Sequence, residues 1–278
     1  MFSVDSQIVL VTGGTRGIGK GIAKAFLDQG AKVFICGRNT PVEPVTTARG
    51  AAEFIEGDVR DPDAAAHIIE TILKRIGRLD TLINNAGGGP QVDAATSSPR
   101  FTESIIRLNL LAPLIMSQAA YASLKSNRGN IINIASVSAV RSSPGTMAYG
   151  AAKAGLINAT ISLAQEWGPD VRVNSIVAGL IKTEASQDHY GGSDGIQRLE
   201  ARLPSGRMGT PEDIANACLY LASDGANYVS GPRWKFLVAA SRPVSSRLFR
   251  RQPRDSPPST VVRQWLISLS DKNLRAMS

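Results

Sequence analysis

The chain has 278 residues, long enough for one large domain with a substantial core, and its 43% hydrophobic and 19% charged residues are those of a globular protein. No run of about eighteen apolar residues appears, which argues against a membrane span. The formal charge of +8 points at first sight to nucleic acid or an anionic membrane, but ten Lys/Arg and only two acidic residues lie in Pro232–Ser278. From totals of 31 and 23, residues 1–231 then hold 21 basic and 21 acidic residues, so the body is formally neutral and neither partner is expected of it. The N-terminus has no basic n-region and runs straight into a strand-like stretch, so no signal peptide is expected. Cys36 and Cys218 lie in apolar stretches and read as small core residues, in keeping with a reducing cytoplasm.

In chain order, IVLVT (Ile8–Thr12) is apolar and β-branched, and Gly17 to Gln29 reads as a helix. KVFIC (Lys32–Cys36) is a second strand and the Phe54 region a third; prolines between Arg38 and Ala52 make a long helix improbable there. Ala64 to Ile76 carries Ile68, Ile69, Ile72, Leu73 and Ile76 at helical spacing. TLIN (Thr81–Asn84), NIINIAS (Asn130–Ser136) and VRVNSIV (Val171–Val177) are further buried strands, with helical stretches near Phe101–Leu124 and Met147–Glu166 before the last two. Near-continuous apolar strands alternating with helices predict an α/β, Rossmann-type doubly wound parallel sheet in one domain, about residues 1–240, with a C-terminal extension over 241–278. A Gly/Ser/Asp-rich stretch from about Ile181 to Arg207 is a candidate lid, since loops after strand C-termini line the ligand crevice of such sheets.

Thr12-Gly13-Gly14-Thr15-Arg16-Gly17-Ile18-Gly19 joins the first strand to the first helix. Gly13 permits a tight turn, Gly17 a close backbone approach to a pyrophosphate, and Gly19 close helix–strand packing. The helix start then offers free N–H groups and a positive dipole end to phosphate. At the end of the second strand an acidic residue would bind ribose hydroxyls and repel a 2′-phosphate; this chain has Gly37-Arg38 there, with Arg16 in the turn itself. Two guanidiniums able to pair with phosphate favour NADP, with NAD the less favoured choice.

Tyr149-Gly150-Ala151-Ala152-Lys153 places a phenol and an ammonium four residues apart on one helix face. A nearby Lys⁺ favours the phenolate and brings a poor base closer to working pH. Such a pair alone is usually just a helix surface pair. Ser136, thirteen residues upstream, ends an apolar strand, and Asn109 lies in the preceding helical segment.

With TGGTRGIG, Asp58-Val59, Asn84-Asn85-Ala86-Gly87, Asn109, Ser136, Tyr149 and Lys153 in order and spacing, residues 5–231 resemble the short-chain dehydrogenase/reductases, nearest the ketoacyl-reductase-like type. The resemblance implies that Tyr149 protonates a carbonyl oxygen as hydride arrives from nicotinamide, or deprotonates the alcohol in reverse. Ser136 would hydrogen-bond that oxygen, and Lys153 would bind the nicotinamide ribose and lower the Tyr149 pKa. Asn109 would hold a water that passes protons to Lys153. Gly13, Thr15, Arg16, Gly17, Ile18, Gly19 and Arg38 would hold the phosphates. Asp58 and Val59 would contact adenine, Asn85, Ala86 and Gly87 would flank the adenosine side, and Ile181 and Thr183 would meet the carboxamide. It also implies a small-molecule carbonyl or alcohol substrate and a homo-oligomer, dimer or tetramer. Ala178-Gly179 stands where the family usually has Pro-Gly, a mild departure. His67 and His189 have no metal-ligand spacing, and no metal is expected. Rival readings are a catalytically idle or impaired dinucleotide-binding protein and, on the tail alone, a basic adaptor.

The resemblance stops after Tyr228-Val229-Ser230-Gly231, where the family continues towards Glu-Val and a Gly-Gly pair and this chain gives Pro232-Arg233-Trp234-Lys235-Phe236. Back-translated with G/C-rich third positions and read in a shifted frame from the Trp234 codon, Trp234–Pro243 can spell Glu-Val-(Pro or Ser)-Gly-Gly-Gly-Glu-Pro-Ala. A one-base change of frame near Gly231, leaving an aberrant basic tail and weakened assembly, is therefore expected; the alternative is a genuine basic extension for a membrane or nucleic acid. Sequencing the gene around codon 231 checks this: the expected result is a nearby alternative frame encoding the family ending, and an intact frame without one contradicts it.

Overall fold

The computed structural model describes residues 3–184, 186 and 190–236. The chain divides into two compact units, Met1–Val244 and Ser245–Ser278, and the second lies outside the described residues, as does the tail expected over 241–278. Strand β1 (Ile8–Thr12) is buried throughout and leads into α1 (Gly17–Asp28), whose Ile22, Ala23, Phe26 and Leu27 form one buried stripe. β2 (Lys32–Gly37) follows. A two-stranded antiparallel pair, β3 (Thr46–Thr47) and β4 (Gly50–Ala51), fills the proline-containing stretch, so no long helix forms there. Next come β5 (Glu53–Glu56) and α2 (Pro62–Ile76). α2 starts where Asp61 accepts from Asp63 N, with Pro62 in the first turn, and stops at Gly77 with φ 88°.

β6 (Thr81–Asn84) precedes α3 (Pro99–Ile106), a π turn (Arg107–Leu111) and α4 (Ala112–Ser126). β7 (Asn130–Ser136), α5 (Met147–Trp167) and β8 (Arg172–Ala178) complete the repeat. The seven strands are all parallel, in the order β5-β2-β1-β6-β7-β8-β9, with β9 at Arg233–Phe236. Strand order reverses between β1 and β6, and ligands of open parallel sheets bind at the C-terminal ends around such a switch.

Alternation along the strands divides the core between two faces. Val9, Val11, Val33 and Ile35 pack with Ile22 and Phe26 of α1 and with Ile214 and Cys218 of α7 (Pro211–Ala222). Ile8, Leu10, Phe34 and Leu82 pack with Ile68 and Ile72 of α2 and Met116 and Leu124 of α4. Among the described residues one helical run, 99–126, is long and apolar enough to cross a membrane, but its Ile105, Met116, Ala120 and Leu124 are buried within this fold.

The stretch expected to break the pattern contains a short helix, α6 (Gly192–Glu200). Its polar composition hides Ile196 and Leu199, which with Leu203 and Met208 form a small separate apolar cluster. The strand expected at WKFLV begins one residue early, and Leu237–Val238 lie outside the described residues. β9 pairs with β8 from Ser175↔Arg233 to Ala178↔Phe236. Trp234 meets Tyr220 edge-on at 5.5 Å, and its buried Nε1 has no hydrogen-bond partner among the described residues. Native folds seldom leave a buried donor unmatched. That mismatch falls where the sequence leaves the family pattern.

Candidate active site

The glycine turn is fixed by contacts that forbid side chains. Gly13 has φ 64°, and a Cβ there would lie 3.0 Å from Ala86 Cα; one at Gly19 would lie 2.3 Å from Gly13 O. Gly13 N donates to Cys36 O at 2.9 Å, tying the turn to β2. Gly17 has φ 53°, and a Cβ there would come into ordinary contact with Thr183 Cγ2 at 3.5 Å. α1 lacks a side-chain cap from its own N-cap residue Arg16 and any acidic residue in its first turn. The chemistry of this cradle, backbone N–H groups at a helix start, fits a dinucleotide diphosphate.

Thr12, the last residue of β1, joins this turn to the one after β6. Its Oγ1 accepts from Asn85 N and Ala86 N, both at 3.0 Å, and donates to Ile83 O at 3.3 Å. Asn85 reaches back, donating from Nδ2 to Thr12 O at 2.9 Å. Sequence reasoning passed over Thr12, although a hydroxyl closing an otherwise apolar strand was a visible signal.

At the adenosine end, Arg16 and Arg38 are both exposed. Asp58, expected at adenine, is gripped by a residue not singled out from the sequence: Arg60 donates from Nε to its Oδ1 at 2.9 Å and pairs through Nη2 with Oδ2. The Arg60 contact, with Arg38 as a weaker influence, holds the Asp58 carboxyl below its usual range. Val59 is buried in the core under this edge.

At the other end of the crevice, β7 delivers Ser136 and the first turn of α5 delivers Tyr149. The Ser136 hydroxyl lies near enough to the Tyr149 phenol to influence it and accepts from Ser138 N at 3.2 Å. One turn on, Lys153 is 3% exposed; its Nζ donates to Ile134 O at 2.8 Å and stands 5.9 Å from the Tyr149 ring centre. Burial pulls the Lys153 pKa down to about 8. The expected lowering of the Tyr149 pKa by Lys153 is not what this arrangement gives. Burial pushes the phenol up, and the Ser136 hydroxyl offsets part of that rise.

Asn109 sits in the π turn, a helix irregularity frequent at functional positions. Its Oδ1 accepts from Gly88 N at 2.8 Å, and its Nδ2 donates to Gly88 O and Ile105 O at 2.9 and 3.0 Å. A Cβ on Gly87 would fall 2.7 Å from Asn109 Oδ1 and 3.2 Å from Lys153 Nζ, so these three meet at one point. An apolar hollow beside Tyr149 is lined by Val92, Phe101, Ile105 and Met147. Ile181 bridges to Gly209, and Thr183 N donates to Ser186 Oγ at 2.8 Å. The predicted set thus lies at the C-terminal ends of β1, β2, β5, β6, β7 and β8, with Asn109 from the π turn and Tyr149 and Lys153 from α5.

Cys36 and Cys218 are buried, and burial pushes the Cys36 thiol up to about 12 and the Cys218 thiol higher still, as inert core residues require. His67 is exposed, His189 lies outside the described residues, and no metal-binding cluster occurs among the described residues.

A family profile described as enoyl-(acyl carrier protein) reductase matches residues 13–235. The chain belongs to the short-chain dehydrogenase/reductase family. Among curated members of that family, it is 34% identical to the probable 2,4-dienoyl-CoA reductase of Bacillus subtilis, covering 82% of this chain and 94% of that protein. It is 35% identical to the 3-oxoacyl-[acyl-carrier-protein] reductase FabG of Chlamydia trachomatis, covering 81% and 94%. Among solved short-chain dehydrogenase/reductase structures, the aldohexose dehydrogenase of Thermoplasma acidophilum superposes with a TM-score of 0.80 at 28% identity, over 93% of this chain and 100% of that one. A putative NAD(P)-dependent gluconate 5-dehydrogenase from Beutenbergia cavernae, with bound NADP at low occupancy, gives 0.78 at 32% identity over 84% and 96%. These relatives are oxidoreductases of carbonyl, alcohol or enoyl groups by name, and this family member shares their ketoacyl-reductase-like type.

The Thr12 clamp can be tested with Thr12→Val, which keeps the shape and removes the hydroxyl. Asn85 N also reaches Ile83 O, so the orphan left behind is mainly the Ala86 amide. We expect about 1–3 kcal/mol less stability by urea unfolding, with weaker NADPH binding by fluorescence titration. Unchanged values in both would show that the hydroxyl is no clamp.

Proposed function

We propose that this protein is an NADP(H)-dependent oxidoreductase that transfers hydride between nicotinamide and a small-molecule carbonyl or alcohol, with Tyr149 as acid/base. The observation that carries the reading is the convergence of the Tyr149 phenol, with Ser136 beside it, and the buried Lys153 ammonium near the glycine turn. A bound reduced nicotinamide supplies the hydride. Tyr149 gives its phenolic proton to the carbonyl oxygen. Ser136, whose Oγ already accepts from Ser138 N, has its own O–H to aim at that oxygen and so places it. Lys153, when charged, favours the phenolate that the proton transfer leaves. The Asn109 side chain spends its hydrogen bonds on Gly88 and Ile105, so we assign it to shaping the place beside Lys153 Nζ where a proton-passing water would stand. Val92, Phe101 and Met147 give the wall beside Tyr149 an apolar character.

For the cofactor, Gly37-Arg38 leaves no carboxylate at the end of β2 to repel a 2′-phosphate, and Arg16 and Arg38 are exposed to meet it. Arg60 adds a guanidinium at the same edge while neutralising Asp58. The NADP carried by the Beutenbergia cavernae relative supports this preference. Gly13, Thr15, Gly17, Ile18 and Gly19 would hold the diphosphate, Asn85, Ala86 and Gly87 the adenosine side, and Ile181 and Thr183 the carboxamide. Self-association as a dimer or tetramer is supported by Leu111, which ends the π turn, and Ile161 of α5, large apolar side chains left 40% and 44% exposed. We also hold to the change of frame near Gly231, supported by the buried Trp234 indole, whose N–H has no partner among the described residues. The impaired-protein alternative has no support among the relatives.

Tyr149→Phe keeps the ring and removes the proton. We expect it to lower carbonyl-dependent NADPH oxidation by about 10²–10⁴-fold across a panel of ketones and β-ketoacyl thioesters, with NADPH binding retained. Activity equal to that of the parent would falsify Tyr149 as the acid/base.

A further inference from the structure

We propose that Glu184 is a built-in competitor of the cofactor diphosphate, an acidic strap that sets how tightly the dinucleotide is held; this rests on the reading of the glycine turn as the cofactor site. α1 receives no cap from Arg16 and has no acidic residue in its first turn. The acid that serves this helix start comes from 167 positions along the chain, where Gly17 N donates to Glu184 Oε2 at 3.2 Å. The approach is confirmed from the glycine's side. A Cβ at Gly17 would meet Thr183 Cγ2 at 3.5 Å and Glu184 Oε2 at 3.8 Å, ahead of anything else. Residues 183–184 therefore lie over the amide face of the turn.

A carboxylate is favourable at a helix N-terminus because the unmatched N–H groups and the helix dipole present positive charge. The same groups attract a phosphate. Two anions cannot share them, since like charges at hydrogen-bonding separations repel. Glu184 is exposed, so its carboxylate can exchange this amide for water at small cost. It also begins the segment that leads to α6, and Thr183 beside it is held by Ser186 through its N–H. Glu184 stabilises the free chain and opposes the cofactor by the same contact.

The test uses the full chain and its Glu184→Gln and Glu184→Ala variants, each titrated with NADPH by fluorescence and melted with and without saturating NADPH. Removing one helix-end charge should tighten NADPH about two- to fivefold. The free variants should melt below the parent, and the NADPH-induced rise in melting temperature should be larger than the parent's. Raising the salt concentration should shrink the difference in affinity between parent and variants. Unchanged or weaker NADPH binding by both variants, with the parent binding normally, overturns the competitor. A parent that does not bind NADPH at all overturns the cofactor reading itself, and this inference with it.

Discussion

A lysine ammonium buried to 3% exposure, with its Nζ 2.8 Å from the Ile134 carbonyl, is the constraint around which the crevice is arranged. Taking that charge out of water is costly, and a single carbonyl returns only part of the lost hydration. The cost shows as a pKa pulled down to about 8. To meet Lys153 at that carbonyl, α5 must lie close against the end of β7, and its first turn then puts Tyr149 beside Ser136. The opposite wall must admit the ammonium without a side chain in the way. Gly87 does so, and Asn109 holds the following residue at both its N–H and its carbonyl.

The second demand is that the reacting end and the glycine turn stay in one frame. They belong to strands on either side of the switch between β1 and β6. The Thr12 hydroxyl bridges it by accepting from Asn85 N and Ala86 N, while Asn85 Nδ2 returns to Thr12 O. A cofactor laid along the crevice would touch both turns, so a small shift between them would separate phosphate holding from hydride delivery. Glu184 belongs to the same economy of contacts. It completes the start of α1 from across the fold, with its carboxylate on the Gly17 amide.

Most of the fold was legible because the strands are buried on both faces and read as unbroken apolar runs; Ile8–Thr12, Thr81–Asn84 and Asn130–Ser136 have the bounds their composition suggests. α6 was not legible, because only Ile196 and Leu199 anchor it in a polar segment. Nor was the π turn at Asn109, although Pro113 just beyond it, with no N–H to continue the helical ladder, was a signal that the helix is interrupted there. At the site, residue types at fixed spacing marked Ser136, Tyr149 and Lys153, since a strand end and one helical turn bring them together. The partnership of Arg60 with Asp58 depends on how the chain leaves β5, and that of Glu184 with Gly17 on a contact across the fold. The direction of the Tyr149 shift also escaped, because burial of the phenol outweighs what the spacing to Lys153 suggested.

The most direct test is an NMR titration of the Lys153 Nζ, followed with ε-¹³C-labelled lysine and assigned with Lys153→Arg. Burial predicts a midpoint of about 8. Because the unfolded chain keeps that proton up to the ordinary lysine value of about 10.4, folding stability should rise as pH climbs from the first value to the second. A midpoint near the ordinary lysine value, with stability flat across that window, would contradict the buried ammonium as the organiser of this site.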